Sequence, residues 1–291
     1  MDDTFLLRAG RLEATVARFG AELISLRHAA HGELLWQGDP HWWDRRSPIL
    51  FPTVGRSRGD RIRVGDATFP MPMHGFAHSE TFDVEASSET ACRLTISDSD
   101  ATRAQYPFAF GLALDYRLEE DGLTVEATIG NPGGKELPAC FGFHPGFAWP
   151  LQAGLEKTAH FIEFADDTSI GVQRAVDGAI LPEVTRMPLD GRRLWLDAAL
   201  FAEGAMVLLS LASRRVTFGA AGAAFGIEVG FRTLPMLGLW MRPGADFLCV
   251  EPWSGHGDAP GFAGQMADKP GVALIAPGAE IRHRMTLRIV G

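Results

Sequence analysis

The 291-residue chain is poor in cysteine and short of positive charge. Its three cysteines, Cys92, Cys140 and Cys249, lie far apart and form no C-x-x-C pair. This spacing fits neither a disulfide framework nor a cysteine zinc site, so the sequence predicts reduced, mostly buried thiols. With 27 Lys and Arg against 36 Asp and Glu, the net charge is −9. That balance argues against a nucleic acid or an anionic membrane surface as a partner.

Long apolar runs are also missing. The sequence contains no stretch of about 18 consecutive apolar residues, so a transmembrane helix is not expected. The first three residues, Met1-Asp2-Asp3, are acidic and no apolar segment of a secretory signal follows them. We therefore expect a soluble, cytoplasmic protein. The sequence does not predict its oligomeric state.

Glycine and proline, by contrast, are frequent. The 33 glycines and 18 prolines are spread along the chain, which favours many turns and few long helices. Residues 112–118 and 123–129 alternate between apolar and polar side chains and flank a turn at 119–122, which predicts an antiparallel hairpin. Similar short runs lie at 11–16, 93–97, 206–211, 225–231, 247–250 and 280–290, with single helical turns expected at 40–45 and 198–202. No linker or repeat divides the chain, so we predict one all-β sandwich domain over residues 1–291.

Four segments combine titratable residues with glycine, proline and aromatic residues, at 52–56, 73–77, 141–145 and 250–253. Loops of this composition often fix one functional side chain. His144, followed by Pro145, is either an acid that works near neutral pH or a core histidine bonded to a backbone carbonyl. Glu251 ends an apolar run, which indicates either a functional carboxylate or a salt bridge to an arginine such as Arg242.

Further candidates surround these two residues. Arg56 and His74 can donate hydrogen bonds to the oxygens of a substrate. The neighbouring Arg46, Arg58, Arg61 and Arg63 equally fit a surface cluster of arginines. Phe143 and Trp253 can stack on the apolar face of a sugar ring, although aromatic residues at strand ends more often belong to the core.

Three other kinds of site fit the sequence less well. A zinc site built from His74, His78 and His144 would need a helix, which the glycine after His74 disfavours. A Ser-His-Asp hydrolase would need a nucleophile elbow, and the sequence has none. Asp115 and Glu251 stay open as the paired carboxylates of a glycosidase, because the separation of two carboxylates cannot be read from a sequence.

Taken together, the four segments resemble the aldose 1-epimerase (mutarotase) family, and more closely its bacterial branch of short LacX-like proteins. The matching sequence motifs, in chain order, lie at residues 36–39, 45–52, 55–56, 73–77, 141–147 and 251–255. The resemblance extends from about Leu6 to Leu287. It implies a large antiparallel β-sandwich of the galactose-mutarotase type that binds a small-molecule sugar across one concave sheet face, with no metal and no organic cofactor.

By this resemblance His144 is the general acid, Glu251 is the general base, and Arg56 and His74 bind the sugar. The implied activity is interconversion of the α and β anomers of a hexose. The base removes the proton of the C1 hydroxyl while the acid protonates the ring oxygen, and the open aldehyde recloses after a half-turn about C1–C2.

Two departures from the family affect the expected pocket. The segment 202–205 lacks the aspartate expected in relatives, and Phe143 replaces a glycine beside the proposed acid, so we expect a narrowed or altered pocket. Two alternative functions follow. The arginines Arg56, Arg58, Arg61 and Arg63 suggest a hexose-6-phosphate 1-epimerase, and the departures suggest a non-catalytic carbohydrate-binding protein on the same fold.

Overall fold

The computed structural model describes residues 3–291, and most of its regular structure is β-strand. The first thirteen strands are β1 (Thr4–Ala9), β2 (Leu12–Ala17), β3 (Leu23–His28), β4 (Gly32–Glu33), β5 (Ile49–Leu50), β6 (Arg61–Val64), β7 (Ala67–Pro70), β8 (Asp83–Ser87), β9 (Ala91–Ser97), β10 (Gly111–Glu119), β11 (Gly122–Gly130), β12 (Leu137–Ala139) and β13 (Phe141–Phe143). The others are β14 (Gly146–Ala148), β15 (His160–Phe164), β16 (Ser169–Val176), β17 (Ala179–Ile180), β18 (Thr185–Pro188), β19 (Arg193–Trp195), β20 (Ala205–Leu208), β21 (Arg215–Ala220), β22 (Gly226–Gly230), β23 (Met236–Trp240), β24 (Phe247–Ser254), β25 (Ala273–Ile275) and β26 (Glu280–Val290). Helical structure is limited to α1 (Asp100–Arg103) and to 3-10 turns at Arg58–Asp60, Ala77–Ser79, Lys157–Ala159, Ala198–Phe201 and Met266–Asp268.

Two large antiparallel sheets organise the molecule, as the all-β prediction required. The first large sheet has the strand order β19-β15-β21-β22-β26-β11-β10-β9-β8. The second has the order β17-β16-β20-β23-β24-β13-β5, with β14 also paired to β24 and β18 to β16. Strands β1 to β4 form a third sheet, and β6-β7 and β12-β25 form two small ones.

The hairpin predicted from alternation is present in the first large sheet. Strands β10 and β11 pair antiparallel, with Leu112 opposite Ile129 and Leu118 opposite Leu123. The apolar side chains of β11 are buried, and the polar ones between them are partly exposed. The period of two therefore predicted the face of β11 that packs inward.

Buried apolar side chains form one continuous cluster that extends along the chain from Leu7 to Leu287. Such a cluster is what a single domain requires, and the prediction of one domain stays a prediction. All three cysteines are free and buried, as expected.

The two predicted helical turns are present to different extents. The 3-10 turn Ala198–Phe201 matches the expectation for 198–202. At 40–45 only one turn forms and it is not continued into a helix. The carbonyl of Asp39 accepts the N–H groups of Trp42 and Trp43, and its carboxylate accepts the N–H of His41, as the side chain of an N-cap aspartate does.

Within residues 3–291, we find no helix with the length and apolar character needed to span a bilayer. The expected cytoplasmic location rested partly on Met1 and Asp2, which lie outside the described residues, and it stays a prediction.

Candidate active site

An open cavity of about 720 Å³ lies against the second large sheet. Its walls include residues of β5, β16, β17, β20, β23 and β24, together with residues of the neighbouring loops. Five of the six residues predicted from the sequence line this cavity, namely Arg56, His74, His144, Glu251 and Trp253. The fold thus brings together segments that are up to about two hundred residues apart in the chain.

Strand β24 supplies the carboxylate. Glu251 and Trp253 lie two residues apart on β24, so both side chains emerge on the same face of the sheet and line the cavity. Val250 points to the other face and joins the hydrophobic core. The apolar run that precedes Glu251 therefore anchors a buried strand that carries a charged group at the cavity wall.

His144 and Glu251 form a close pair. The His144 Nε2 atom lies 3.1 Å from Glu251 Oε2, and the two residues are only 6% and 2% exposed. Burial raises the pKa of Glu251 well above its usual value, with the indole N–H of Trp253 acting in the opposite direction. Burial, and next the neighbouring His74, lower the pKa of His144 well below 6.5. Burial thus favours a neutral imidazole and a carboxylic acid, so near neutral pH the pair holds one proton, which the 3.1 Å contact between Nε2 and Oε2 allows either residue to carry.

This geometry decides between the readings that the sequence left open for these two residues. Glu251 pairs with His144, whereas Arg242 donates a hydrogen bond to the backbone carbonyl of Trp42. The Nδ1 atom of His144 has no hydrogen-bond partner among residues 3–291, so this residue is not a core histidine bonded to a carbonyl. Unpaired buried polar atoms are uncommon in folded proteins, and a catalytic role is one explanation for them.

His74 is held as a neutral hydrogen-bond donor. It adopts a left-handed backbone conformation, with φ of 67°, and its Nδ1 accepts the N–H of Gly55 at 3.1 Å. Burial is the main cause that lowers the pKa of His74 to about 3. Because Nδ1 is the acceptor in the neutral ring, the proton lies on Nε2. This imidazole therefore donates and does not take part in proton exchange near neutral pH.

Two tryptophans that the sequence analysis missed surround His144. The ring centroid of Trp43 lies 5.0 Å from that of His144, and the centroid of Trp240 lies 5.9 Å away. Both rings line the cavity. The sequence offers a sign of this role, because Trp42 and Trp43 are adjacent and lie between the first two segments that match the family. Buried Glu22 secures this loop by accepting the backbone N–H groups of residues 46 and 47.

Trp253 lies in a slot formed by two glycines on the flanking strands. A Cβ atom at Gly142 of β13 would lie 2.7 Å from Trp253 Cδ1, and one at Gly238 of β23 would lie 2.6 Å from Cη2. Real side chains do not approach so closely, so both positions need glycine for the indole to lie across the sheet. Glycine in a strand often marks such a close approach.

We expect Gly238→Ala to displace the Trp253 indole. Overpacking of this kind costs about 1–3 kcal/mol in the free energy of unfolding, which denaturant titration measures. Gly111→Ala is the matched control, because Gly111 also lies in a strand and a Cβ there meets nothing within 4 Å. Equal stability of the two variants would contradict the close packing of the Trp253 indole against Gly238.

Arg56 lines the cavity, but much of its guanidinium is already engaged. Its Nε donates to the carbonyl of Asp177 at 2.8 Å, and one terminal nitrogen binds the carboxylate of Asp60 at 2.5 Å. The other arginines of the cluster do not reach this cavity, because Arg58, Arg61 and Arg63 line a separate one.

Phe143 lies outside the cavity, which corrects its prediction as a sugar-stacking residue. Its side chain is 1% exposed and packs in the core edge-to-face against Phe141, with ring centroids 4.9 Å apart. Along β13, residues 141 and 143 share one face, and Gly142 lies on the face of Trp253. The ring of Phe143 therefore does not narrow the pocket beside His144.

The segment 202–205 forms part of the cavity wall without offering a carboxylate to it. Ala202, Gly204 and Ala205 line the cavity, whereas the side chain of Glu203 is 82% exposed and lies 3.9 Å from Arg174. Gly204 has a φ of 96°, and a Cβ there would lie 2.3 Å from the carbonyl oxygen of residue 175. This wall is therefore made of small residues.

Two alternative sites find no support in the geometry. Asp115 lies in the first large sheet and pairs with Arg93 at 2.5 Å, so it is not a catalytic partner of Glu251. Among residues 3–291, one set of three potential metal ligands lies within 4.8 Å, namely His144, Cys249 and Glu251. It is not the histidine set considered from the sequence, and it contains the two groups of the acid–base pair.

Known proteins resemble this chain along most of its length. A family model described as aldose 1-epimerase matches residues 3–265. The chromosomal protein LacX of Lactococcus lactis subsp. lactis is 30% identical over 284 residues, which cover 94% of this chain and 95% of that protein.

Solved structures share the fold. A galactose mutarotase related enzyme from Lactobacillus acidophilus superposes with a TM-score of 0.93 at 24% identity, covering 99% of this chain and 97% of that one. A galactose mutarotase-like protein from Lactobacillus casei ATCC 334 gives a TM-score of 0.90 at 28% identity, covering 98% and 99%. The architecture is thus the antiparallel β-sandwich of the galactose-mutarotase type, as predicted.

Proposed function

Since this chain belongs to the aldose 1-epimerase family, we propose that it interconverts the α and β anomers of a hexose by acid–base catalysis. The observation that carries the proposal is the 3.1 Å separation of His144 Nε2 and Glu251 Oε2 at the cavity wall. The C1 hydroxyl oxygen and the ring oxygen of a pyranose are bonded to the same carbon. An acid and a base that serve these two atoms must therefore be close neighbours.

The proposed reaction starts from the form of the pair in which the shared proton lies on His144 and Glu251 is a carboxylate. Glu251 then accepts the proton of the C1 hydroxyl, and His144 donates its proton to the ring oxygen. The bond from C1 to the ring oxygen breaks, and the aldehyde forms. After rotation about C1–C2, the new ring hydroxyl attacks the opposite face of the aldehyde. His144 then takes back its proton and Glu251 returns one to the C1 oxygen, so the pair ends as it began.

The surrounding residues have supporting roles in this proposal. The neutral His74 donates a hydrogen bond to a sugar oxygen, and Trp253 provides an apolar surface for the C–H face of the ring. Trp43 and Trp240 limit the access of water to His144, which strengthens the electrostatic interaction within the acid–base pair.

Polarimetry of freshly dissolved α-D-glucose and α-D-galactose tests the proposal. We expect equilibration with the β anomer to be faster with the protein than in the same buffer. Calorimetry on the same sugars should show binding. Sugar binding without any acceleration would favour the carbohydrate-binding alternative, and neither binding nor acceleration would contradict the proposal for these hexoses.

The pH dependence of the rate provides a further prediction. As the pH falls, the pair gains a second proton only below the usual pKa range of a histidine, because the pKa of His144 is lowered. With both groups protonated, the pair lacks a base. As the pH rises, the pair loses its single proton only above the usual range of Glu251, and it then lacks an acid. We expect kcat/KM to show no inflection at about pH 6.5, where an unperturbed histidine titrates. A clear inflection there would show that His144 titrates as an isolated imidazole.

The positions of the arginines weaken the case for a hexose-6-phosphate 1-epimerase. It rested on four arginines, of which only Arg56 lines the cavity of the acid–base pair. Rates on glucose and glucose 6-phosphate separate the two substrate classes, and we expect no preference for the phosphorylated sugar.

A further inference from the structure

A second cavity, of about 320 Å³, lies apart from the candidate active site and shares no wall residue with it. Four cationic side chains and one carboxylate line this cavity, namely Arg58, Arg61, Arg63, Lys269 and Asp258. Its volume is at the lower end of the range of about 300–1,000 Å³ for small-molecule sites. The ligand it suits is therefore small and negatively charged.

The three arginines carry positive charge that no acid neutralises. Among residues 3–291, no carboxylate lies within salt-bridge distance of Arg58, Arg61 or Arg63. Several exposed arginines elsewhere are paired, as Arg284 is with Glu126, and exposed arginines without a salt bridge among the described residues, such as Arg117 and Arg186, do not line this cavity. In a chain with a net charge of −9, this local concentration of free positive charge needs an explanation.

Backbone carbonyls hold the three guanidinium groups in place. Arg58 donates to the carbonyl of Phe262 at 3.1 Å, and Arg63 donates to that of the next residue, Ala263, at 3.0 Å. Arg61 donates to the carbonyl of Thr68 at 3.0 Å. A neutral carbonyl orients a guanidinium without cancelling its charge, and each guanidinium has five N–H donors, so several stay free for a ligand.

The wall of the cavity also contains a buried ion pair. Lys269 is 3% exposed and binds the carboxylate of Asp258. The other oxygen of Asp258 accepts the backbone N–H of Arg58 at 2.8 Å. Because Lys269 already neutralises Asp258, this carboxylate does not compensate the three arginines.

We propose that this second cavity binds the phosphate group of a small phosphorylated molecule through Arg58, Arg61 and Arg63. Guanidinium groups match the oxygens of a phosphate in charge and geometry, and each can bind two of them at once. The ring of Phe262, which also lines the cavity, offers an apolar surface to the carbon skeleton of the ligand. The proposal goes beyond the epimerase activity and does not depend on it.

Calorimetric titration of the full chain at low ionic strength tests the site, with inorganic phosphate and glucose 6-phosphate as separate probes. We expect both probes to bind, and the double variant Arg61→Gln/Arg63→Gln to weaken each by about 10- to 100-fold. The control is Arg117→Gln/Arg186→Gln, which removes the same charge from exposed positions outside both cavities. It should bind both probes as the wild type does.

Three results would overturn the proposal. The first is no binding of either probe to the wild type. The second is equal weakening by the double variant and its control, which would indicate a general effect of net charge. The third is weakening by Arg242→Gln but not by Arg61→Gln/Arg63→Gln, which would place the phosphate in the first cavity. Because titration measures binding alone, an inactive epimerase would leave this test intact.

Discussion

Glu251→Gln is expected to slow mutarotation by about 10²–10⁴-fold, the usual contribution of a positioned general base. The amide has nearly the shape of the carboxylate but does not accept a proton from the C1 hydroxyl. Glu251 is buried at the cavity wall, so the substitution removes the base without opening a cavity and also removes the cost of a buried carboxylate. The variant should therefore fold while losing kcat more than sugar affinity.

The control for this variant is Glu203→Gln. Glu203 lies in the wall segment 202–205, but its side chain is largely exposed and directed away from the cavity. Polarimetry should give the control the wild-type rate, and thermal unfolding should show that both variants are folded. If Glu251→Gln retained the wild-type acceleration, Glu251 would not be the base, and the proposed chemistry would fail.

The fold was largely predictable because its signals are local. Alternation along residues 123–129 predicts which face of the strand is buried, and the structure buries that face. The same logic places Glu251 and Trp253 on one face of β24. Chain order contains no information on which strands pair across a sheet, so the sequence alone could not show that His144 and Glu251 meet at 3.1 Å.

The errors in the candidate site also have physical causes. The position of Phe143 next to His144 in the sequence predicts a place in the pocket, yet Phe143 shares the core face of β13 with Phe141, opposite the face of Gly142 and Trp253. The arginines near Arg56 were grouped because they are close in sequence, and a turn at 58–60 directs them to a second cavity. Trp43 and Trp240 were missed because their contact with His144 is formed only by tertiary packing.

His144→Gln is expected to slow mutarotation by a similar factor, about 10²–10⁴-fold, because glutamine does not donate a proton to the ring oxygen. His41→Gln is its control, since His41 is exposed and does not line the cavity. Thermal unfolding should again confirm that both variants fold.

The double variant His144→Gln/Glu251→Gln distinguishes a coupled pair from two independent groups. In the proposed mechanism the proton that His144 gives and the proton that Glu251 takes belong to one cycle, so either single substitution already breaks it. We therefore expect the double variant to be about as slow as the slower single variant, because residues that act as a unit are strongly non-additive. A loss equal to the product of the two single losses would mean that the two residues contribute separately, despite the 3.1 Å between His144 Nε2 and Glu251 Oε2.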